Sequence, residues 1–178
     1  GIITGDPNSD PLMQFLINTP INNDEERQVD GLEFNIQHFF GQSGFGVIAN
    51  YTAVDSDLEY DNLILDDQAA IIGLSDTANL VGIYEKDGLS VRLAYNWRDE
   101  YLASRGQGTG SNPQYREAYD QLDLNISYEV PQVEGLRVFV EALNITDEYT
   151  RTHGRTSYQV LNVTQTGARY NLGVAYKF

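Results

Sequence analysis

The sequence predicts an all-β fold, an antiparallel up-and-down meander of about seven strands. Three observations carry this. Apolar residues recur at every second position over long runs, short glycine-bearing links alternate strictly with long polar ones, and no convincing helical spacing of apolar residues occurs.

The first strand is Leu32–Phe40, where Leu32, Phe34, Ile36 and Phe40 alternate with Glu33, Asn35 and Gln37. Phe45–Tyr51 follows, with Phe45, Val47, Ala49 and Tyr51 opposing Gly46, Ile48 and Asn50. Thr77–Glu85 is the least regular, because Leu80, Val81 and Ile83 put apolar side chains on both faces. Leu89–Ala103 is long for an ordinary strand: Leu89, Val91, Leu93, Tyr95, Trp97, Asp99 and Tyr101 oppose Ser90, Arg92, Ala94, Asn96, Arg98 and Glu100. Gln121–Val130 alternates without error, Leu122, Leu124, Ile126, Tyr128 and Val130 against Gln121, Asp123, Asn125, Ser127 and Glu129. In Leu136–Ile145 the set Val138, Val140 and Ala142 faces away from Arg137 and Glu141, but Phe139 and Leu143 interrupt the polar face. Arg169–Phe178 ends the series, with Tyr170, Leu172, Val174, Tyr176 and Phe178 opposing Arg169, Asn171, Gly173, Ala175 and Lys177.

Gly41–Gly44, Glu85–Gly88 and Pro131–Gly135 suit tight hairpins. Ser56–Ser75, Ser104–Ala118 and roughly Gly154–Gly167 are long and polar. Short turns at one end and long loops at the other are the pattern of an outer-membrane β-barrel. Aromatics stand towards both ends of the apolar faces, Tyr95, Trp97 and Tyr101 near one rim and Tyr176 and Phe178 near the other. The opposite face carries Arg92, Arg98, Glu100, Asp123, Asn125, Glu129 and Lys177, charges that suit a wet lumen better than a core. A soluble β-sandwich is the competing fold, disfavoured because sandwich strands are usually shorter.

The composition agrees. The 178 residues hold 26 acidic against 11 basic side chains, a formal charge of −15, so the basic footprint of a nucleic-acid partner is missing. With no cysteine, a disulfide scaffold, thiol catalysis and cysteine-ligated metals are excluded. Gly1–Asp10 does not read as a signal peptide, and no apolar run reaches the length of a membrane-spanning helix. A membrane barrel stays open, because its strands alternate.

The segment Leu136–Phe178 resembles the end of TonB-dependent outer-membrane receptors. The family's Leu-Asn-Leu-[Thr/Phe]-Asp-x-x-Tyr signature corresponds to Leu143, Asn144, Ile145, Thr146, Asp147 and Tyr149, with Ile for the second Leu and one residue fewer before Tyr. The closing Gly-x-Arg-x-x-x-Gly-x-x-Tyr-x-Phe strand corresponds to Gly167, Arg169, Gly173, Tyr176 and Phe178. Val29–Phe40, Ala49–Asp57 and Leu93–Ser104 look like consecutive strands of the same barrel.

The resemblance implies the C-terminal portion of a large transmembrane barrel, about 22 strands in such receptors, closed by a plug. It divides the chain into residues 1–27, a partial extracellular loop or incomplete segment, and residues 28–178, the C-terminal barrel strands, with no plug domain in this chain. It implies Gram-negative outer-membrane localisation, contact with lipid and lipopolysaccharide, coupling to the TonB complex through a plug outside this chain, periplasmic turns and extracellular loops. It implies energised nutrient uptake and no enzymatic activity. Leu93–Ser104 and Leu136–Phe178 lean towards oligosaccharide receptors; a ferric-siderophore receptor is the alternative cargo class. An odd strand count cannot close antiparallel, which favours part of a longer receptor. A complete eight-stranded barrel with a structural or adhesive role would need a strand within Gly1–Gln28, where Pro7, Pro11 and Pro20 work against one.

Ligand contacts are expected from the long loops and the nearby lumen. The candidates are Asp55, Asp57, Asp61, Arg98, Glu100, Arg151 and Arg155, with Tyr60, Tyr115 and Tyr158 as aromatic platforms. Asp55, Asp57, Glu59 and Asp61, followed by Asp66 and Asp67, have the every-second-residue spacing of a calcium loop, although Tyr60 stands where an EF-hand has glycine. A solvated acidic loop is the simpler reading; no other cofactor is expected. His38 falls on the lipid side near a turn and His153 lies far from it, so no histidine site is expected. Arg105–Pro113 reads as a flexible loop, and the Asn-x-Ser/Thr triplets at Asn50, Asn125, Asn144 and Asn162 carry no glycosylation meaning in a bacterial barrel.

Overall fold

Eleven strands follow one another in the computed structural model, which describes residues 26–66, 68–106 and 111–178. They are β1 (Val29–Phe39), β2 (Phe45–Ser56), β3 (Thr77–Lys86), β4 (Leu89–Arg98), β5 (Tyr101–Ser104), β6 (Gln114–Arg116), β7 (Tyr119–Glu129), β8 (Leu136–Leu143), β9 (Tyr149–His153), β10 (Val160–Gln165) and β11 (Arg169–Tyr176). Seven of them pair antiparallel in the order β1-β2-β3-β4-β7-β8-β11. These are the seven strands the alternation predicts, and the wall is a meander of hairpins without crossovers.

Register makes the two faces continuous. Leu93, Leu124, Ala142 and Tyr170 share one rung, and Val91, Ile126, Val140 and Leu172 share the next on that face. On the other face Arg92, Asn125, Glu141 and Asn171 form a rung, and Asn35, Asn50, Asn79, Asn96 and Gln121 form a row of amides across five strands. Within that row Asn50 Nδ2 donates to Asn79 Oδ1 at 3.4 Å, and Asn79 Nδ2 donates to Asn96 Oδ1. The burial is inverted relative to a water-soluble domain: Leu172 is 80% and Leu32 71% exposed, while the buried apolar side chains described are Ile83, Leu102 and Ala142. A sheet apolar outward and polar inward is what a bilayer requires.

The irregularities of the pattern have local causes. Phe139, which interrupts the polar face of β8, lies over Gly173 of β11, and Phe39 lies in the same way over Gly46; a Cβ at Gly46 would stand 2.6 Å from the Phe39 ring. An aromatic covering a cross-strand glycine fills the gap that the missing side chain leaves. Ile83, beside Gly46 on the polar face, is only 4% exposed.

The hairpins use the turns their composition calls for. Between β3 and β4, Asp87 and Gly88 both take positive φ, 53° and 79°, as the two-residue turn matching strand twist demands. The carbonyls of Gly44, Gly88 and Gly135 accept from the amides of Glu85, Glu129 and Lys177 at 2.7, 2.9 and 3.0 Å. Each turn is thus docked on the return strand of the next hairpin.

The long links differ from their prediction. The second and third are not open loops, because β5, β6, β9 and β10 form a second sheet in the order β10-β9-β6-β5, whereas the first contributes no strand among the described residues. β5 and β6 prolong the β4–β7 hairpin, β9 and β10 prolong the β8–β11 hairpin, and β6 pairs with β9 at Tyr115↔His153 and Arg116↔Thr152. The predicted strand Leu89–Ala103 therefore breaks at Asp99–Glu100, and the break changes phase. Tyr101 leaves the apolar side and lies against Arg98, whose guanidinium carbon is 3.8 Å from the ring centre. Glu100, expected beside Arg98, turns instead to His153.

Leu172→Arg on the apolar face is expected to weaken membrane insertion by about 2–4 kcal/mol. Asn171→Arg, one residue away on the polar face, should leave assembly intact. Heat-modifiable gel migration of membrane fractions measures both, and equal effects would contradict the assignment of faces.

Candidate functional site

The second sheet gathers most of the predicted site residues at the long-link end, and it does so through arginine. Arg155 donates from Nη1 to the carbonyls of Asn62 and Ile64, both at 2.8 Å, and from Nη2 to the Ser111 carbonyl at 3.1 Å. One side chain thereby joins all three long links. Arg98 donates from Nε to Ser75 Oγ at 2.7 Å and from Nη2 to the Gly73 carbonyl at 2.6 Å, drawing the first link down onto the end of β4. Arg151 pairs with Glu117 at 2.8 Å and donates to the Ser157 carbonyl at 2.8 Å. A planar donor fork satisfies several loop carbonyls at once in a fixed geometry, which the compact ammonium of a lysine does not impose.

On one side of this cap His153 is buried, with Nε2 3.1 Å from Glu100 Oε2 and Nδ1 2.8 Å from the Gly154 carbonyl. Tyr115 stacks on its ring at 5.3 Å and donates its hydroxyl to Asn62 Oδ1 at 3.1 Å. Burial raises the Tyr115 pKa. The Glu100–His153–Tyr115 cluster escapes sequence reading because its members lie on separate links and meet only where β6 pairs with β9. Tyr158 is 94% exposed, and the Tyr60 hydroxyl is buried without a partner.

The acidic run is spent on backbone amides, within its own turns at Asp55 and Asp61 and across to the approach of β1 at Asp57. Asp55 accepts from the Ser56 amide at 2.9 Å, Asp57 from the Gln28 amide at 3.1 Å and Asp61 from the Leu63 amide at 2.7 Å, while Glu59 is exposed. Asp67 lies outside the described residues. Among the described residues no three His, Cys, Asp or Glu side chains come together as a metal would require.

Where the two sheets meet, a cavity of about 440 Å³ opens among Tyr101, Arg116, Tyr119, Thr150, Thr164 and Arg169. It is reached from the polar face of the wall, since Arg98, Tyr119 and Arg169 belong to that face.

The family profile described as TonB dependent receptor-like, beta-barrel matches residues 1–145. The chain belongs to that family. The match includes residues 1–27 and stops ahead of the closing strand. No curated protein and no solved structure matches the chain. Members of the family are transporters rather than enzymes, and the family implies a Gram-negative outer-membrane setting, which an apolar outer face and a polar inner face suit.

The receptor signature has a physical basis here. Asn144, 2% exposed, takes a positive φ of 54° and closes a ring with Glu148: its Nδ2 donates to the Glu148 carbonyl and its Oδ1 accepts from the Glu148 amide, both at 2.9 Å. The Asn144 amide donates to Asp123 Oδ1 at 2.9 Å, and Asp147, also at positive φ, accepts from Gln165 at 3.0 Å. Asparagine tolerates the left-handed conformation and offers both donor and acceptor, so the motif is the joint at which β8 of the wall becomes β9 of the cap.

Arg155→Ala should raise the rate of limited proteolysis within residues 57–76 about ten- to hundredfold while the wall stays assembled, since three charge-assisted bonds are lost. An unchanged rate would show that the cap is held otherwise. The stability that Tyr115 lends as a neutral phenol is present below its unfolded pKa of about 10 and lost as pH rises through the higher folded value. Alkaline pH should therefore loosen the same segment, and Tyr115→Phe should abolish that step in a proteolysis-against-pH series.

Proposed function

We propose that residues 28–178 are the C-terminal strands of a larger outer-membrane transporter, whose plug and remaining strands lie outside this chain, and that its cargo is an oligosaccharide. The supporting observation for the larger assembly is the pair of sheet edges. Among the described residues β1 and β11 each pair on one side only, and unpaired peptide groups in lipid cost several kcal/mol apiece. Flanking strands remove that cost. The short turns then lie in the periplasm and the arginine-tied cap lies outside the cell, in contact with lipopolysaccharide at its rim.

The observation that carries the cargo class is the cavity between wall and cap. Tyr101 and Tyr119 supply aromatic faces, Thr166 supplies a hydroxyl that both donates and accepts, and the hydroxyl oxygens of Thr150 and Thr164, whose protons are engaged within the chain, remain as acceptors. That combination matches a sugar ring, apolar across its C–H faces and hydroxylated around its edge. Tyr158, fully in solvent on the cap, offers a further stacking surface. Arg98 borders the cavity, while Arg151 and Arg155 act from a distance by holding the cap's shape.

A strain deleted for the gene should lose growth on its oligosaccharide at limiting concentration and keep growth under iron starvation. Loss confined to iron starvation would overturn the saccharide proposal in favour of a ferric siderophore.

A further inference from the structure

We infer that the cavity between wall and cap selects saccharides bearing an anionic substituent, a carboxylate or a sulfate ester. This deepens the oligosaccharide reading and rests on it. The observation is the state of charge in the cavity. Arg98, Arg116 and Arg169 all line it, three of the 11 cationic side chains in a chain of net charge −15.

None of the three is neutralised. The bonds of Arg98 go to a hydroxyl and a carbonyl, which leave its positive charge uncompensated. The side chains of Arg116 and Arg169 form no hydrogen bond or ion pair among the described residues, and both residues are exposed and line the cavity. Two carboxylates border the same space. Glu117 is engaged by Arg151 at 2.8 Å, which leaves Glu148 as the one unpaired carboxylate among the lining residues, with the carboxylates of Asp120 and Asp123 also near Tyr119.

A guanidinium without a protein partner, set beside aromatic rings, is open to an anionic ligand. Its fork matches the paired oxygens of a carboxylate or sulfate, and each such bond is charge-assisted. The volume of about 440 Å³ is in the range of small-molecule sites, roughly 300–1,000 Å³. The chain's net negative charge would repel an acidic cargo at long range. A locally positive cavity reverses that at contact, within a Debye length of about 8 Å at physiological salt.

The test uses the full-length receptor in outer-membrane preparations, with labelled binding of a neutral oligosaccharide, a uronate-containing one, a sulfated one of the same length, and a ferric siderophore. Acidic saccharide should bind at least about tenfold more tightly than neutral, and the difference should shrink with added salt. Arg116→Gln with Arg169→Gln should remove the preference, with acidic cargo losing about ten- to hundredfold and neutral cargo losing much less. Glu148→Gln should strengthen acidic binding by up to about fivefold, a change in the opposite direction that misfolding cannot mimic. The uronate and sulfate arms identify which anion is taken. Equal binding of neutral and acidic sugars, or a preference that survives the arginine substitutions, would overturn the anionic subsite and leave the saccharide reading standing. Binding of the ferric siderophore with no saccharide bound would overturn that reading and this inference with it.

Discussion

Peptide N–H and C=O groups inside a bilayer find partners only on neighbouring strands, because lipid chains offer none. The antiparallel ladder of the wall is therefore the interaction on which the remaining features rest. It forces the two-residue alternation, sets apolar side chains outward without a partner in the chain, and fixes the short turns at heights where each glycine carbonyl meets the following hairpin. It also explains why so little apolar surface is buried. Cohesion of the wall comes from backbone pairing and from lipid, and not from a packed interior.

That constraint is why the wall was legible in the sequence. Gln121–Val130 and Arg169–Phe178 could be read as strands from alternation alone, and Asp87–Gly88 marks its turn by residue type. The cap was not legible, for a physical reason. Its strands are short, from three to six residues, too few for a period to emerge, and β10 is exposed on both faces. The phase change at Asp99–Glu100 was equally hidden, because an uninterrupted alternation of side-chain types continues through it. Tyr101 fits the apolar series by composition and joins the polar face by geometry. The predicted site residues divide accordingly: Arg98 borders the cavity, Arg151 and Arg155 brace the cap, and the acidic run accepts from backbone amides of its own turns and of Gln28. Arg116, which lines the cavity, gave no signal, being an isolated arginine in a three-residue strand, and Arg169 was legible as a polar-face residue of the closing strand but not as part of a site.

The same residues show how a rigid surface can be made from segments poor in apolar side chains. Carbonyls of the long links converge on arginine forks, so cohesion comes from charge-assisted bonds to backbone. The pairing of β6 with β9 then makes two neighbouring hairpins into one unit. A binding surface built in this way keeps its shape while its outer side chains vary.

The row of amides from Asn35 to Gln121 has a bearing on how such a wall is assembled. Displacing a strand by one residue turns its apolar side chains inward and is rejected at once. Displacement by two keeps every side chain on its proper face, so the hydrophobic pattern is blind to it. The amides are not. Such a shift sets Asn79 against Thr52 or Ile48 in place of Asn50, and it separates Phe39 from Gly46. The amide row and the aromatic–glycine pairs thus act as a parity-independent index, a form of proofreading written into the interior of the barrel and invisible from its lipid side.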